Sequence, residues 1–380
     1  MHPPVPKPGE APPAYDEIML DRGGAADDHV RHVHSSGAPW WNARYWRKRV
    51  WLGVVVAILG IVAIIIGVVV SVSQRSRYPN YTALSYKLVD TYSGESFFDQ
   101  FNYFTGYDPS NGFVHYVPQT QAESLNLTYA SSSTAVLRVD TSVGPGDNPD
   151  ASTGRFSVRV ESKTTYNNGL FIFDVKHTPY GCGTWPALWL TDRYSWPKHG
   201  EIDVMEATNN GTDGNQMSLH TTSKCSMHVK RKQTGDALKK NCDYAKDDNA
   251  GCGVESDTDG YGTGFNDDGG GVMAMEWRDA GIRMWQFGRS DIPSDIENKS
   301  PDPSTWGTAL ADFPNTNCDI GSHFKNNSII VNIDLCGDLT SAVWDSSGCA
   351  SNCTDWVANN PDAFTNAYWE FGAFHVYQNS

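Results

Sequence analysis

The first 181 of the chain's 380 residues hold no cysteine; all eight follow, at Cys182, Cys225, Cys242, Cys252, Cys318, Cys336, Cys349 and Cys353. No two of them form a CxxC pair, and the Cys349/Cys353 spacing lacks a matching second half, which argues against a zinc site. An even number of cysteines in an oxidising compartment reads instead as disulfides, although eight allow 105 connectivities. Basic charge is also short: 29 Lys and Arg stand against 44 Asp and Glu, a net charge of −15, so nucleic acid is excluded as a partner of the main body. Beyond Tyr78 no long run has helical periodicity and no internal repeat occurs.

The sharpest absence is of charge itself. "WLGVVVAILGIVAIIIGVVVSV", Trp51 to Val72, has no charged residue. As a helix it would be roughly 33 Å long at about 1.5 Å per residue, enough to cross a hydrocarbon core of about 30 Å. A buried core helix seldom goes uncharged so long, and the run is too long and too far along the chain for an ordinary signal peptide. Arg44, Arg47, Lys48 and Arg49 crowd its N-terminal side against Arg75 and Arg77 beyond it, so the positive-inside rule predicts a cytosolic N-terminus, a type II protein whose body is lumenal or extracellular. Trp40, Trp41, Trp46 and Trp51 suit an interfacial aromatic belt at that end. The charge divides accordingly: residues 1 to 77 carry nine Lys and Arg and six Asp and Glu, leaving twenty basic against thirty-eight acidic residues. The cysteines and every Asn-x-Ser/Thr sequon, at Asn80, Asn126, Asn210, Asn298, Asn326 and Asn352, lie on the same side of the apolar run.

Four segments are expected: a disordered cytosolic tail over residues 1–50, a transmembrane helix over 51–72, a stalk over 73–88 and a catalytic domain over 89–380. The tail is proline-rich and poor in large apolar groups. Within it Pro12, Pro13 and Tyr15 spell PPxY, a ligand for a WW-domain protein, and Lys7 and Lys48, the tail's only lysines, suggest a WW-containing ubiquitin ligase that controls trafficking. His29, His32 and His34 read as a solvated linker. In the membrane segment Gly53, Gly60 and Gly67 recur every seven residues, a stripe that lets two helices approach as a homodimer.

The body reads as strands. "SVRVESK", "LFIFDVK", "PALWL", "EIDVMEA", "MSLHTT", "VMAMEW", "GIRMWQF", "SIIVNIDL" and "WEFGAFHVYQ" are short, β-branched or aromatic, and separated by Gly, Asn, Asp and Pro. An all-β sandwich or barrel follows. "DDNAGCGVESDTDGYGTGFNDDGGG" is expected to be one long loop at a cleft rim. Asp257, Asp259 and Gly262 imitate a calcium loop's opening, but Tyr261 and Asp268 occupy ligand positions five and twelve, so we expect neither a metal there nor a cofactor.

"HGEIDVMEAT", residues 199 to 208, sets three carboxylates inside six positions of a strand. Alternation puts Glu201 and Asp203 on one face and sends Glu206 to the other, unless one extra residue among Val204 and Met205 restores the phase. A β-bulge supplies that residue. The two glutamates' Cα atoms then stand roughly 13 Å apart at ~3.3 Å per step, and side chains leaning together could narrow the carboxylates to roughly 5 or 6 Å. That approaches the ~5–5.5 Å of a retaining glycosidase, in which one carboxylate attacks the anomeric carbon while a protonated partner assists the leaving oxygen. Negative neighbours raise the acid's pKa.

The motif "EIDVME" resembles the E-[hydrophobic]-D-x-x-E signature of glycoside hydrolase family 16 in its bulged form. "FFDQFNYFTGYDPSNGFVHYV", "GRFSVRVESKTTYNNGLFIFDVKH", "GCGTWPALWL", "NQMSLHTT" and "CGDLTSAVWDSSGC" are similar to its fungal laminarinase-like branch over roughly residues 88 to 378. The resemblance implies an all-β jelly-roll sandwich with a concave glucan-binding cleft, and endo cleavage of β-1,3- or mixed β-1,3/1,4-glucan with retention. It assigns Glu201 as nucleophile, Glu206 as acid/base and Asp203 as assisting carboxylate. Trp189 and Trp196 match cleft tryptophans, with Trp185 a further candidate, since aromatic faces pack on pyranose C–H surfaces. His220 resembles a histidine beside the catalytic acids, and Trp277 is a candidate for cleft or core. Leu339 stands where many relatives have a sugar-stacking tryptophan. A glucan transglycosylase, a non-catalytic glucan-binding module and, by topology, a role in β-1,6-glucan assembly are the alternatives.

Overall fold

The computed structural model of the chain describes residues 47–75, 78–142 and 154–379. The PPxY residues Pro12, Pro13 and Tyr15 and the tail histidines lie outside them. The uncharged run forms the middle of helix α1 (Lys48–Arg75), whose 28 residues make it long and apolar enough to cross a membrane. Its large apolar side chains from Val50 to Val72 are mostly exposed, and an added Cβ at Gly53, Gly60 or Gly67 would meet nothing.

The nine runs read as strands all lie on strands. One antiparallel sheet runs, edge to edge, β12 (Asp236–Lys240), β13 (Cys252–Glu255), β11 (Gln216–His220), β10 (Glu201–Glu206), β9 (Thr184–Thr191), β17 (Asn327–Leu335), β7 (Arg159–Tyr166) and β2 (Phe101–Tyr103). The second runs β16 (Ala311–Pro314), β15 (Gly281–Gly288), β14 (Gly271–Arg278), β8 (Gly169–His177), β18 (Tyr368–Asn379), β5 (Ala135–Arg138) and β4 (Thr128–Ala130), with β1 (Tyr86–Ser93) also paired to β18. A small parallel pair joins β3 (Val114–Tyr116) to β6 (Arg155–Ser157). The non-consecutive neighbours make this a jelly-roll sandwich.

Alternation drives the two sheets together. Ile202, Val204 and Met205 of β10, Leu188 and Leu190 of β9, and Val331 and Ile333 of β17 share one buried cluster with Phe171 and Phe173 of β8 and Phe371 and Phe374 of β18. Burying each such side chain is worth about 1.5–3 kcal/mol against leaving it exposed. Four disulfides, Cys182–Cys349, Cys225–Cys318, Cys242–Cys252 and Cys336–Cys353, use all eight cysteines.

Two expectations change. The glycine-rich stretch is not one loop: it contains β13, the short helix Gly262–Asp267 and the start of β14. Its glycines and aspartates conceal a four-residue strand held by pairing on both sides, with Cys252 and Val254 buried. The expected stalk is also shorter. β1 begins at Tyr86, and the segment before it is held to the second sheet: Tyr81 Oη donates to Asp312, Arg278 donates to the Thr82 carbonyl at 3.0 Å, and Arg283 lies 4.0 Å over the Tyr81 ring.

Candidate active site

The three acids of β10 reach one face because the strand is bulged. Against β9, Asp203 pairs with Trp189 and Met205 with Leu188, two steps against one; against β11, Asp203 pairs with Ser218 and Glu206 with Gln216, three against two. The extra residue falls at Val204–Met205, where the phase argument requires it. Both are fully buried in the core. The fully buried Asn215 braces the irregularity: its amide donates to the Val204 carbonyl and accepts from the Glu206 N–H, each at 3.1 Å.

A tryptophan answers each glutamate. Trp185 on β9 donates its indole N–H to Glu206 Oε1 at 2.8 Å, and Trp196, in the β9–β10 connection, donates to Glu201 Oε2 at 2.5 Å. Trp196 is 37 % exposed and meets Tyr244 edge to face at 5.3 Å. Trp189 donates to Asn332 at 2.8 Å, and the Arg159 guanidinium covers its ring at 4.9 Å. Each of these tryptophans thus has its orientation fixed by a polar partner while the ring remains partly accessible.

Asp203, 3 % exposed, accepts from the Ser218 hydroxyl and lies 3.3 Å from His220 Nε2. His220 Nε2 is also 3.0 Å from Ser218 Oγ, while its Nδ1 is 3.1 Å from Asn249 Oδ1. Burial opposes charge on this ring, but the hydrogen bond and charge of Asp203, with Glu201 and Glu206 behind it, outweigh burial and push its pKa up to about 10. Three acids and one imidazolium leave the face underneutralised. Glu201 and Glu206 are accordingly both raised above the ordinary carboxylate range, first by burial and then by the Asp203 charge; the Trp196 and Trp185 hydrogen bonds and His220 pull them back. Such a pair shares a proton near neutrality, so one member can attack while the other donates. Donor atoms of Glu201, Asp203 and His220 lie within 4.8 Å of one another. With both ring nitrogens facing acceptors, His220 offers a cation no lone pair, and the trio is an ion-pair cluster.

These observations meet what the comparisons find. Residues 101–377 match the family model described as the XgeA-like, catalytic GH16 domain. The chain belongs to glycoside hydrolase family 16. Among its relatives, the "Probable glycosidase" of Schizosaccharomyces pombe is 45 % identical over 80 % of this chain and 72 % of its own length. The endo-1,3(4)-beta-glucanase of Arthroderma benhamiae is 40 % identical over 77 % of this chain and 65 % of its own. Two solved structures each superpose in full on 77 % of the chain. One is the GH16 laminarinase 16A of Phanerochaete chrysosporium with beta-glucans in both donor and acceptor sites, at 44 % identity and TM-score 0.73. The other is an elongating family 16 beta-1,3-glucosyltransferase, at 40 % identity and TM-score 0.72. The catalytic domain is thus endo-1,3(4)-β-glucanase-like.

Within this family 16 domain one candidate is displaced. Trp277 belongs to the second sheet, is 1 % exposed and stacks on Phe171 at 6.3 Å, so it is a core residue and offers no face to a sugar. Its "MEW" context carries the same alternation as a cleft strand; only the sheet assignment separates the two. Leu339 lies with Val343 in a small cavity beside Glu206 and Gln216, on the acid's side of the site. Sequence reading missed Ser218, Asn215, Tyr244 and Asn249. Ser218 was accessible, because it stands two residues before His220 and so shares its face. The others lie in loops around the site, where chain spacing carries no direction.

Proposed function

We propose that this protein is a membrane-anchored retaining endo-β-glucanase that cleaves β-1,3- or mixed β-1,3/1,4-glucan and acts in cell-wall glucan remodelling. The observation that carries the reading is the bulge that brings Glu201, Asp203 and Glu206 to one face, each glutamate held by its own indole donor. In the first step a Glu201 oxygen attacks the anomeric carbon. The glycosidic bond breaks, its electron pair stays on the leaving oxygen, and that oxygen takes the proton of Glu206. The Trp196 indole occupies Oε2 and leaves Oε1 to attack. Glu206, now a carboxylate, removes a proton from water, which opens the glycosyl ester and restores the configuration at the anomeric carbon. Asp203, balanced by His220, sits between the two and opposes full ionisation of both. Trp185, Trp189 and Trp196 supply faces for the sugar rings.

The elongating glucosyltransferase among the similar structures favours a second reading, in which another sugar hydroxyl replaces the water. Anchoring through residues 51–72 with the N-terminus cytosolic, glycans at sequon asparagines that are all exposed, a WW-domain partner at Pro12, Pro13 and Tyr15, and a homodimer through Gly53, Gly60 and Gly67 complete the proposal. The test follows the products of the full-length chain in detergent from a β-1,3-glucan oligosaccharide by mass, beside Glu201→Gln. Shorter products with new reducing ends, absent from the variant, support the hydrolase; products longer than the substrate support transfer. No product from β-1,3-, mixed-linked or β-1,6-glucan overturns both and leaves glucan binding.

A further inference from the structure

The Cys242–Cys252 disulfide closes a loop that touches two partners of the acids, His220 and Trp196. Its base is stitched to the end of β11: the Thr221 N–H donates to the Cys242 carbonyl and the Tyr244 N–H to the Thr221 carbonyl, each at 2.8 Å. At its tip Asp247, Asp248 and Asn249 take φ of 50°, 55° and 61° in succession. A run of three left-handed residues persists only where the surroundings impose it, and Asp and Asn are the side chains that tolerate it best. What it achieves is the placement of Asn249 Oδ1 at 3.1 Å from His220 Nδ1. Gly251 closes over the same ring. With φ of +63°, a Cβ added there would fall 2.6 Å from His220 Cε1 and 2.7 Å from Nε2, so the position accepts only glycine. On the loop's other arm, Tyr244 packs edge to face on Trp196, whose indole holds Glu201.

We propose that this loop is a positioning element of the active site: Asn249 holds His220 as an imidazolium beside Asp203, and Tyr244 holds Trp196 against Glu201. The inference rests on the catalytic reading of Glu201 and Asp203 above. A neutral imidazole has one N–H, but here acceptors face both nitrogens, Asn249 at Nδ1 and Asp203 with Ser218 at Nε2. The imidazolium satisfies both. Its charge in turn favours ionisation of Glu201 and Glu206. The groups that face the ring are Glu201, Asp203 and Glu206 from β10, Ser218 from β11 itself, and Asn249 and Gly251 from the loop. Tyr244 and Asn249 touch neither the reacting atoms nor the acids; both act through an intermediary.

The test uses the full-length chain in detergent with ¹³C-labelled histidine, the His220 signal being assigned by its loss in His220→Gln. Asn249→Gly keeps the left-handed backbone and removes the acceptor, whereas Asn249→Asp retains an oxygen there. The His220 titration midpoint is expected to fall by about one pH unit in Asn249→Gly, and to stay at or above the wild-type value in Asn249→Asp. The acid limb of kcat/KM should stay in place in the glycine variant, because a midpoint one unit below about 10 leaves His220 charged throughout that limb. Tyr244→Ala should raise KM about two- to tenfold, and Tyr244→Phe, which keeps the ring, should restore it. An unmoved His220 midpoint in Asn249→Gly, or equal effects of the glycine and aspartate variants, overturns the role of Asn249. A Tyr244→Ala protein with wild-type KM overturns that of Tyr244. If the wild type proves inactive on every glucan, the proposed function falls, while the histidine titration still decides whether the loop holds His220.

Discussion

Each sheet buries a cluster of charge, and the two are balanced differently. On the second sheet Glu276, 2 % exposed, receives Arg283 at 2.5 Å, Arg278 at 3.2 Å and the Tyr86 hydroxyl at 2.9 Å, so two guanidiniums serve one carboxylate. On the first sheet three carboxylates share one imidazolium. A buried acid that receives two guanidiniums has its charge matched inside the fold. Buried acids short of cations must exchange a proton among themselves, and that is the property catalysis needs. The contrast sets Glu276 apart from the three acids proposed to carry the chemistry.

The comparison breaks most readily at the acids themselves. Glu206→Gln should lower kcat by about 10²–10⁴-fold, the range for loss of a general acid, with Glu201→Gln falling at least as far. Removing one of three crowded negative charges should leave the melting temperature unchanged or higher. Oligosaccharide hydrolysis and calorimetry on the same samples check both halves. A large loss of stability in either variant would place these glutamates in the same class as Glu276.

The reciprocal change is Glu276→Gln. It strands two guanidiniums that are 13 % and 14 % exposed, and removal of one partner from a buried pair costs about 3–5 kcal/mol. Stability should drop by that amount in denaturant titration, with kcat of the remaining folded protein unaltered. Because Arg283 and Arg278 also hold Tyr81 and Thr82, the same variant should expose the segment before β1 to proteolysis.

How far the site was legible follows from where each residue gets its direction. The spacing of Glu201, Asp203 and Glu206 cannot put all three on one face of a regular strand, so it implied the bulge at Val204–Met205 before any coordinates. His220 was readable by the family resemblance, and Ser218, two residues before it, by alternation from His220. Trp277 was not, since "VMAMEW" alternates as a cleft strand would, and its neighbours across the sandwich decide that its ring faces the core. β13 was hidden because glycine and aspartate are weak strand formers, and pairing with β11 and β12 overrides that preference. Tyr244 and Asn249 stand 43 and 48 residues after Glu201, and the Cys242–Cys252 closure with the backbone bonds to Thr221 turns their loop back toward the site. Eight cysteines announced disulfides, but the one that shapes the site could not be chosen from 105 arrangements.

The finest discrimination lies within the acid cluster, between its two indole donors. Both glutamates are raised, so the rate should show a bell displaced toward neutrality from that of two ordinary carboxylates, its limbs belonging to the pair. The acid limb marks ionisation of the nucleophile and the alkaline limb loss of the acid's proton. An indole N–H favours the ionised carboxylate it bonds, so its removal raises that carboxylate's pKa. Trp196→Phe should therefore move the acid limb of kcat/KM upward, by about half to one pH unit, narrowing the bell. Trp185→Phe should move the alkaline limb upward by a similar ~0.5–1 unit and widen it, because Glu206 then keeps its proton longer. Opposite effects on width from one chemical change assign nucleophile and acid separately. The same limb moving in both variants would mean that Glu201 and Glu206 are not divided in role as their tryptophans divide them.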